Sequence, residues 1–398
     1  MMLRMDKEIK TMNTIQSTDQ YTMKAFGRIP LVEAQGHNCT CTDENGKTYI
    51  DMGSGIGCNV LGWCNEAWTE AVCNQVKKLQ HACNYYYTQP QAELVEKLAK
   101  VTGFSRMFLG NSGAEANECA IKVARKYSSD KYGKERGTII SLVNSFHGRT
   151  METLAATGQD VFHQYFYPFP TGHVFAKAND LDDLKSKLDG TVCGIMIEVI
   201  QGEGGVCALD KDYVQAIRKI CDEQDIILII DEVQTGCGRT STFLAQEQFG
   251  IKADVTTMAK AIGGGLPIGI CLVNKKCENV ITPGTHGSTF GGNPVVCAGA
   301  VAVLDQVTAP GFLDSVKEKA DYLRSELAKI PEVESLSGIG MMIGITLKSK
   351  DAHDVMLAAN DAGLLILTAK EKVRLLPPLT ITKEEMDAGL AILRQVLA

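Results

Sequence analysis

The sequence predicts an α/β fold in which helices flank a mainly parallel sheet and a smaller lobe is attached. Short apolar runs alternate with amphipathic stretches, as expected for repeated βαβ units. The predicted strands are Thr138 to Val143, Cys193 to Val199, Ile226 to Ile230 and Ile268 to Val273. Between two of these strands, helical spacing separates Val214, Ile217, Ile220 and Cys221. The strand–helix alternation therefore implies a mainly parallel sheet.

Three segments are expected along the chain. Residues 1–58 form an N-terminal segment, residues 59–307 a large ligand-binding domain, and residues 308–398 a small C-terminal domain. The last segment opens with a charged stretch, Ser315 to Lys329, that predicts a helix and is followed by shorter strands. A turn signal at Asp43 to Lys47 predicts a hairpin in the first segment. We expect that segment to join the small domain in space.

Composition restricts the class of protein. The chain has 398 residues, 45% of them apolar and 22% charged, which is typical of a globular protein. Its net charge of −7 argues against nucleic acid or an anionic membrane as the main partner. No apolar run approaches a membrane span, and Met1 to Lys10 lacks the apolar stretch of a signal peptide. The fourteen cysteines form no C-x-x-C pair, so we expect reduced core cysteines in a cytoplasmic protein.

A lysine and an aspartate carry the strongest chemical signal. Asp231 follows the apolar run Ile226 to Ile230, at the carboxyl end of a predicted buried strand, where open α/β sheets hold ligands. Lys260 is flanked by small residues and by the glycines 263–265, a poor setting for a solvated surface charge. A lysine amine that forms a Schiff base and a carboxylate that keeps a pyridine nitrogen protonated are what pyridoxal 5′-phosphate chemistry requires.

Two segments could hold a phosphate group. Ser112 is a plausible N-cap of a helix, and Gly113 would let backbone amides approach an anion at its positive end. A capped helix without a ligand remains the alternative. The segment Gly287 to Pro294 offers the hydroxyls of Ser288 and Thr289 beside glycines, or is only a turn. Neither segment is a Walker loop, and the glycines around residue 340 fail the dinucleotide fingerprint by one position.

Four further side chains are candidates for ligand contacts. Phe146 could stack on a planar cofactor, and Arg149 could clamp a carboxylate; the alternative is a core phenylalanine beside a surface arginine. Glu203 lies in a glycine-rich loop, where an acidic residue is often merely solvated. Arg374 is a lone charge within an apolar run, so it is expected to be paired or to bind a ligand. Tyr85 to Tyr87 could line a pocket mouth or pack in the core.

Taken together and in order, these motifs resemble the class III aminotransferases of PLP fold-type I. The resemblance runs from about Met23 to the C-terminus. Its elements are Ser112 to Glu118, Phe146 to Thr150, Gln201 to Gly205, Asp231 to Gly236, Lys260 with its glycines, and Gly287 to Pro294. It implies a large domain with a seven-stranded-type, mainly parallel sheet, and a smaller α+β lobe.

The resemblance implies specific cofactor contacts. Lys260 would form the Schiff base with pyridoxal phosphate and then shuttle the substrate proton, Asp231 would pair with the ring nitrogen, and Phe146 would stack on the ring. Thr289 would reach the phosphate from the partner subunit of a homodimer. The complete implied set is Ser112, Gly113, Ala114, Phe146, Asp231, Glu232, Val233, Gln234, Lys260 and Thr289. No metal ion is expected.

The resemblance also implies two carboxylate clamps for small-molecule substrates. Arg149, with Ser288 nearby, would bind the α-carboxylate of the amino donor. Arg374 would bind the α-carboxylate of 2-oxoglutarate, and Glu203 would pair with Arg374 while the donor occupies the site. The implied activity is transfer of the terminal amine of N2-acetylornithine to 2-oxoglutarate, as in arginine biosynthesis.

Alternatives to this activity remain open. Succinylornithine, ornithine and 4-aminobutyrate aminotransferases share nearly all of these motifs, and a PLP-fold protein that binds without catalysis is a rival from another class. Val199 stands where the family usually has proline, and Ser337 stands where arginine is common. Neither position carries the inferred chemistry.

Overall fold

The computed structural model describes residues 12–398, and its centre is a seven-stranded sheet. The strands are β4 (Arg106–Gly110), β5 (Thr138–Leu142), β6 (His173–Ala176), β7 (Val192–Ile197), β10 (Ile227–Asp231), β11 (Val255–Ala259) and β12 (Gly269–Val273). Their order is β4-β12-β11-β10-β7-β5-β6. All neighbouring pairs are parallel except the two made by β12. The prediction of a mainly parallel α/β sheet is confirmed.

Helices cover this sheet and the smaller sheets. They are α1 (Thr14–Tyr21), α2 (Ser54–Gly57), α3 (Glu66–Lys78), α4 (Gln89–Thr102), α5 (Gly113–Tyr132), α6 (Met151–Ala155), α7 (Leu181–Ser186), α8 (Lys211–Gln224), α9 (Pro294–Val307), α10 (Phe312–Leu327), α11 (Ala352–Asp361) and α12 (Lys383–Leu397). The helix predicted from Ser315 corresponds to α10. The apolar face predicted between two strands is that of α8, which buries Val214, Ile217, Ile220 and Cys221.

Two smaller sheets are built from the two ends of the chain. The N-terminal sheet contains β1 (Glu33–His37), β2 (Thr40–Asp43), β3 (Thr48–Asp51) and β15 (Leu364–Leu365). Strands β2 and β3 form the hairpin predicted from its turn residues. The C-terminal sheet contains β13 (Val333–Ser337), β14 (Ile343–Leu347), β17 (Lys372–Leu375) and β16 (Leu367–Ala369), in that order. Because β15 pairs with β3, the N-terminal segment does contact the C-terminal part of the chain.

A short hairpin and several single turns complete the chain. Strands β8 (Ile200–Gln201) and β9 (Cys207–Ala208) pair on either side of the loop that contains Glu203. The turn α2 is left-handed at Gly55 and Ile56. Three 3₁₀ segments cover Asp160–Phe162, Ala245–Phe249 and Lys260–Gly263.

The core lies mainly against the two faces of the large sheet. Strands β7, β10, β11 and β12 are buried along their whole length, as expected for strands covered on both faces. The five cysteines that stand in the predicted strands and helices are also buried: Cys119, Cys193, Cys221, Cys271 and Cys297. All fourteen cysteine thiols are unpaired.

Within residues 12–398, no single helix is long and apolar enough to cross a bilayer. The consecutive helices α9 and α10 reach that length and composition only as a pair, and they are bent by 73°. The stretch Met1 to Lys10, on which the signal-peptide prediction depends, lies outside the described residues.

Candidate active site

A cavity of about 450 Å³ opens at the carboxyl end of the large sheet. The lining includes ten residues singled out from the sequence: Ser112, Gly113, Ala114, Phe146, Arg149, Glu203, Asp231, Val233, Gln234 and Lys260. These residues come from five separate segments of the chain, which the ends of adjacent strands bring together. The location matches the general rule for ligand sites in open α/β sheets.

Lys260 follows the last residue of β11 and lies on the cavity wall. Its backbone has a φ of +48°, in the left-handed region that non-glycine residues seldom adopt. Burial lowers the pKa of the Lys260 amine, although the nearby carboxylates of Glu203 and Asp231 oppose the shift. A lowered pKa increases the fraction of neutral amine, which is the form that acts as a nucleophile or base.

Asp231 is fixed by a buried hydrogen-bond network at the end of β10. Its Oδ2 lies 2.8 Å from Nδ2 of Asn117 and 2.9 Å from Nδ1 of His147, and its Oδ1 accepts from the backbone N–H of Val233. Asn117 is itself oriented by a hydrogen bond of 2.7 Å from Thr257. These contacts leave the carboxylate little rotational freedom, so it faces the cavity in one orientation.

The N-terminus of α5 forms another part of the cavity wall. Ser112 is the N-cap residue, as predicted, and its Oγ accepts from the backbone N–H of Glu115 at 3.2 Å. A Cβ atom added to Gly113 would lie 2.8 Å from Cγ1 of Val233, which leaves no room for a side chain. The helix therefore presents backbone N–H groups and a positive dipole end to the cavity.

Phe146 and Arg149 also line the cavity. The ring of Phe146 is half-buried and contacts the edge of Phe162 at 5.9 Å between centroids. The guanidinium of Arg149 lies 4.2 Å above the ring of Phe162, and its side chain is exposed at the cavity mouth. An exposed guanidinium at the mouth is accessible to a carboxylate that enters from solvent.

Glu203 and Arg374 form a close ion pair. Nη1 of Arg374 lies 2.6 Å from Oε1 of Glu203 and 3.3 Å from Oε1 of Gln234, whose amide in turn donates to Glu203 at 3.3 Å. Only 4% of the Arg374 side chain is exposed, against 31% of the Glu203 side chain. Burial raises the pKa of Glu203, but the charge and hydrogen bond of Arg374 outweigh it and lower the pKa overall.

Ser288, Thr289 and the three tyrosines do not line this cavity. Oγ of Ser288 accepts from Nδ2 of Asn111 at 3.0 Å, directly beside the N-cap of α5. Thr289 is exposed to solvent within its own chain. Tyr85, Tyr86 and Tyr87 are also exposed, so the alternative that they pack in the core is wrong.

Glu232 requires a correction to the predicted set of cofactor contacts. Its side chain is buried away from the cavity and accepts from the backbone N–H groups of Ala245 and Gln246, each at 2.8 Å, and from Oγ1 of Thr235. Because successive strand-end residues point to opposite sides, Asp231 faces the site and Glu232 faces the core. Burial raises the pKa of Glu232 to about 7. Glu232 is therefore a structural residue.

The sequence matches the family described as Aminotransferase class-III over residues 21–397. This match covers nearly the whole chain, including every segment that lines the cavity. The chain belongs to the class-III aminotransferases.

Individual relatives of this aminotransferase cover the same length. The acetylornithine aminotransferase of Haemophilus ducreyi is 50% identical, with 98% of this chain and 99% of that protein aligned. The solved N-acetylornithine aminotransferase of Stenotrophomonas maltophilia is 32% identical at a TM-score of 0.84, covering 96% of this chain and 98% of that one. The Toxoplasma gondii ornithine aminotransferase, solved with partial PLP occupancy at its active site, is 28% identical at a TM-score of 0.91, covering 96% and 93%.

The cavity fits the cofactor of this family, pyridoxal phosphate. The amine of Lys260, the carboxylate of Asp231 and the N-terminus of α5 open on the same space. The glycine at position 113 keeps that helix end clear, because any side chain there would meet Val233. An amine, a carboxylate and an anion cradle are the three groups that a pyridine aldehyde phosphate needs.

Sequence reasoning did not single out Asn117, His147, Glu198 or Cys58, all of which line the cavity. Asn117 and His147 both lie within motifs that were recognised. Their helical and loop positions alone do not reveal that they converge on Asp231. Glu198 directly follows the last residue of β7, and Asp231 is the last residue of β10. Its position at the carboxyl end of a strand could therefore have marked Glu198 as a candidate site residue. Cys58 carried no signal in the sequence.

Proposed function

We propose that this aminotransferase transfers the terminal amine of N2-acetylornithine to 2-oxoglutarate, in the cytoplasm, as a step of arginine biosynthesis. The products would be N-acetylglutamate 5-semialdehyde and glutamate. Support comes from the 50% identity to a protein named acetylornithine aminotransferase over almost the full length of both chains. It also comes from the placement of Arg149 on the cavity wall and of Arg374 against Glu203, which lines the cavity.

The observation that carries the proposal is the ion pair between Glu203 and Arg374. A donor that reacts at its terminal amine places its α-carboxylate far from the reacting carbon, whereas 2-oxoglutarate places it close. With Arg374 neutralised by Glu203, the exposed guanidinium of Arg149 is the clamp for the distant carboxylate of the donor. When Glu203 moves aside, Arg374 becomes the clamp for 2-oxoglutarate.

Several residues of the cavity have a task in this proposal. Bound pyridoxal phosphate supplies an electron sink for the substrate carbon. Lys260 holds the cofactor between turnovers and, once displaced by the substrate amine, moves a proton at its Nζ between substrate positions. Asp231 would pair with the ring nitrogen, and Phe146 would pack on the ring. The amides of Gly113 and Ala114 would hold the phosphate.

We further propose that the active unit is a homodimer. Thr289 is exposed on its own chain, beside Ser288 and near the helix end that would bind the phosphate. In a dimer with two-fold symmetry, the same exposed loop of one subunit can reach the phosphate site of the other. The three exposed tyrosines and Phe290, which is 60% exposed, offer apolar surface for such an interface.

The test is a comparison of amino donors under single-turnover conditions. N2-acetylornithine is expected to convert the bound cofactor faster than N2-succinylornithine, ornithine or 4-aminobutyrate, and 2-oxoglutarate is expected to convert it back. A faster reaction with one of the other three amines would assign the enzyme to that substrate. No reaction with any donor would favour a binding protein without catalysis.

A further inference from the structure

Glu198 is a buried carboxylate that lines the cavity, and the proposed function assigns no role to it. It follows the last residue of β7, lines the cavity, and is 6% exposed. Because β7 and β10 are neighbouring parallel strands, Glu198 and Asp231 lie at adjacent strand ends. A carboxylate buried this far is costly unless donors surround it.

The donors to Glu198 come from two different walls of the site. Its Oε2 accepts from the backbone N–H of Phe146 at 2.9 Å, and its Oε1 faces the backbone N–H of Gly202 at 3.4 Å. Phe146 belongs to the segment that lines one wall of the cavity, and Gly202 directly precedes Glu203. One side chain thus connects that wall to the loop that carries Glu203.

Other contacts make this connection tight. Nε2 of Gln201 donates to the backbone carbonyl of Val143 at 2.9 Å, so the loop is held against the segment before Phe146 at a second point. A Cβ atom added to Gly202 would lie 2.3 Å from Oε1 of Gln234, the same amide oxygen that accepts from Arg374. A displacement of Gly202 must therefore disturb the contacts of Gln234 with Arg374 and Glu203.

The Glu198 carboxyl group is expected to gain or lose its proton near neutral pH. Burial raises the pKa of Glu198 to about 7; His147 opposes the shift and the like charge of Asp231 adds to it. The other ionisable side chains that line the cavity are Cys58, Arg149, Glu203 and Lys260. An ionised carboxylate accepts strongly from both backbone N–H groups, whereas a protonated carboxyl group accepts more weakly.

We propose that Glu198 is a positioning residue that ties the Phe146 segment to the Glu203 loop and thereby sets how readily Glu203 leaves Arg374. Ionised Glu198 holds Gly202, and with it Glu203, in the paired position that masks Arg374. Protonation or replacement of Glu198 loosens Gly202 and unmasks Arg374. This inference rests on the proposed function for the masking of Arg374 by Glu203 and for the choice of substrates.

The readout is the ratio of two single-turnover rates, that of N2-acetylornithine divided by that of glutamate reacting at its α-amine. Glu198→Gln retains the size of the side chain but turns an amide nitrogen toward one backbone N–H. The ratio is expected to fall by about ten-fold, the effect of losing one hydrogen bond to a charged group. In the unsubstituted enzyme the ratio should rise with pH around 7, and in Glu198→Gln it should not.

Glu232→Gln is the matched control. Glu232 is also a buried carboxylate (1% exposed, against 6% for Glu198), it accepts from two backbone N–H groups, and it faces away from the cavity. Its substitution should lower the stability of the fold and leave the ratio unchanged. Glu198→Asp, which retains the charge but has a shorter reach, should lower the ratio and keep its pH dependence.

A double-substitution cycle and an exchange measurement separate positioning from general damage. In a Glu203→Ala background, Glu198→Gln should not lower the ratio further, because the masking group is already absent. Hydrogen–deuterium exchange of the holoenzyme should be faster at residues 201–206 in Glu198→Gln and normal there in Glu232→Gln.

An unchanged ratio in Glu198→Gln would overturn the proposal, as would an equal fall with and without Glu203. Unchanged exchange at residues 201–206 would do the same. Failure of the proposed function has a different signature, since N2-acetylornithine would then be inert, or slower than another terminal amine, with the unsubstituted enzyme. The ratio would in that case be measured with the terminal amine that does react, and the exchange measurement needs no substrate.

Discussion

Replacement of Arg374 by alanine should separate the two halves of the reaction. Nη1 of Arg374 lies 2.6 Å from Glu203, and the side chain is almost fully buried, so a substrate carboxylate that replaced Glu203 would make a short, poorly screened contact. Loss of such a hydrogen bond costs roughly 1.5–3 kcal/mol. That range corresponds to a fall of roughly ten- to a hundred-fold in kcat/KM for 2-oxoglutarate.

Arg149→Ala is the matched substitution at the other clamp. Arg149 is exposed and contacts Phe162, so its removal should weaken the N2-acetylornithine half-reaction by an amount near the lower end of the same range. Stopped-flow spectra of the bound cofactor, recorded with each substrate alone, measure the two halves separately. Arg374→Lys should recover part of the loss, because lysine retains the charge but not the planar geometry of the guanidinium.

The Arg374 substitution should also alter the pH dependence. Arg374 holds the pKa of Glu203 below its ordinary value against the effect of burial, so Glu203 should be protonated at a higher pH once Arg374 is absent. The assignment of the two clamps would be refuted by equal losses in both half-reactions for both arginine variants. It would equally be refuted by a loss of donor reactivity alone in Arg374→Ala.

Three further outcomes are expected. Lys260→Ala should lose the visible absorbance of lysine-bound pyridoxal phosphate and several orders of magnitude of activity; normal turnover would show that another group is the base. Sedimentation at assay concentration should find a dimer or a dimer of dimers, and an active monomer would contradict the shared site. Thr289→Ala should weaken retention of the cofactor. Gly113→Ala should weaken cofactor binding by roughly 1–3 kcal/mol, because the added methyl group would clash with Val233. The double variant Gly113→Ala/Val233→Ala should recover part of this loss. Tight cofactor binding by the single variant would argue against a phosphate site at the N-terminus of α5.

Much of the large sheet was predictable because its strands are buried on both faces. The strands that end at Leu142, Ile197 and Asp231 are mostly apolar, and a helix face of regular spacing separates two of them. The antiparallel direction of β12 was not predictable, because the apolar pattern of a buried strand is the same for parallel and antiparallel pairing. Only the return of the chain after Lys260 determines that β12 runs antiparallel to β11.

The candidate site was predictable where a residue has a chemical signature of its own. Lys260 and Asp231 stand out as charged groups within apolar or glycine-rich surroundings, and both line the cavity. Glu232 was misassigned because it shares a motif with Asp231, while the direction of a side chain at a strand end depends on the pleat. The network of Asn117 and His147 could not be foreseen, since their partners lie 114 and 84 residues away.

The sheet shared by the two ends of the chain bears on how the protein is made. Strand β3 pairs with β15, and Asn38 receives a hydrogen bond from Thr380, 342 residues later in the sequence. On a ribosome, the N-terminal strands are synthesised first, and Thr380 follows its partner Asn38 only 342 residues later. Until then an edge of the N-terminal sheet remains open, so the nascent chain depends on late closure and is exposed to aggregation throughout synthesis.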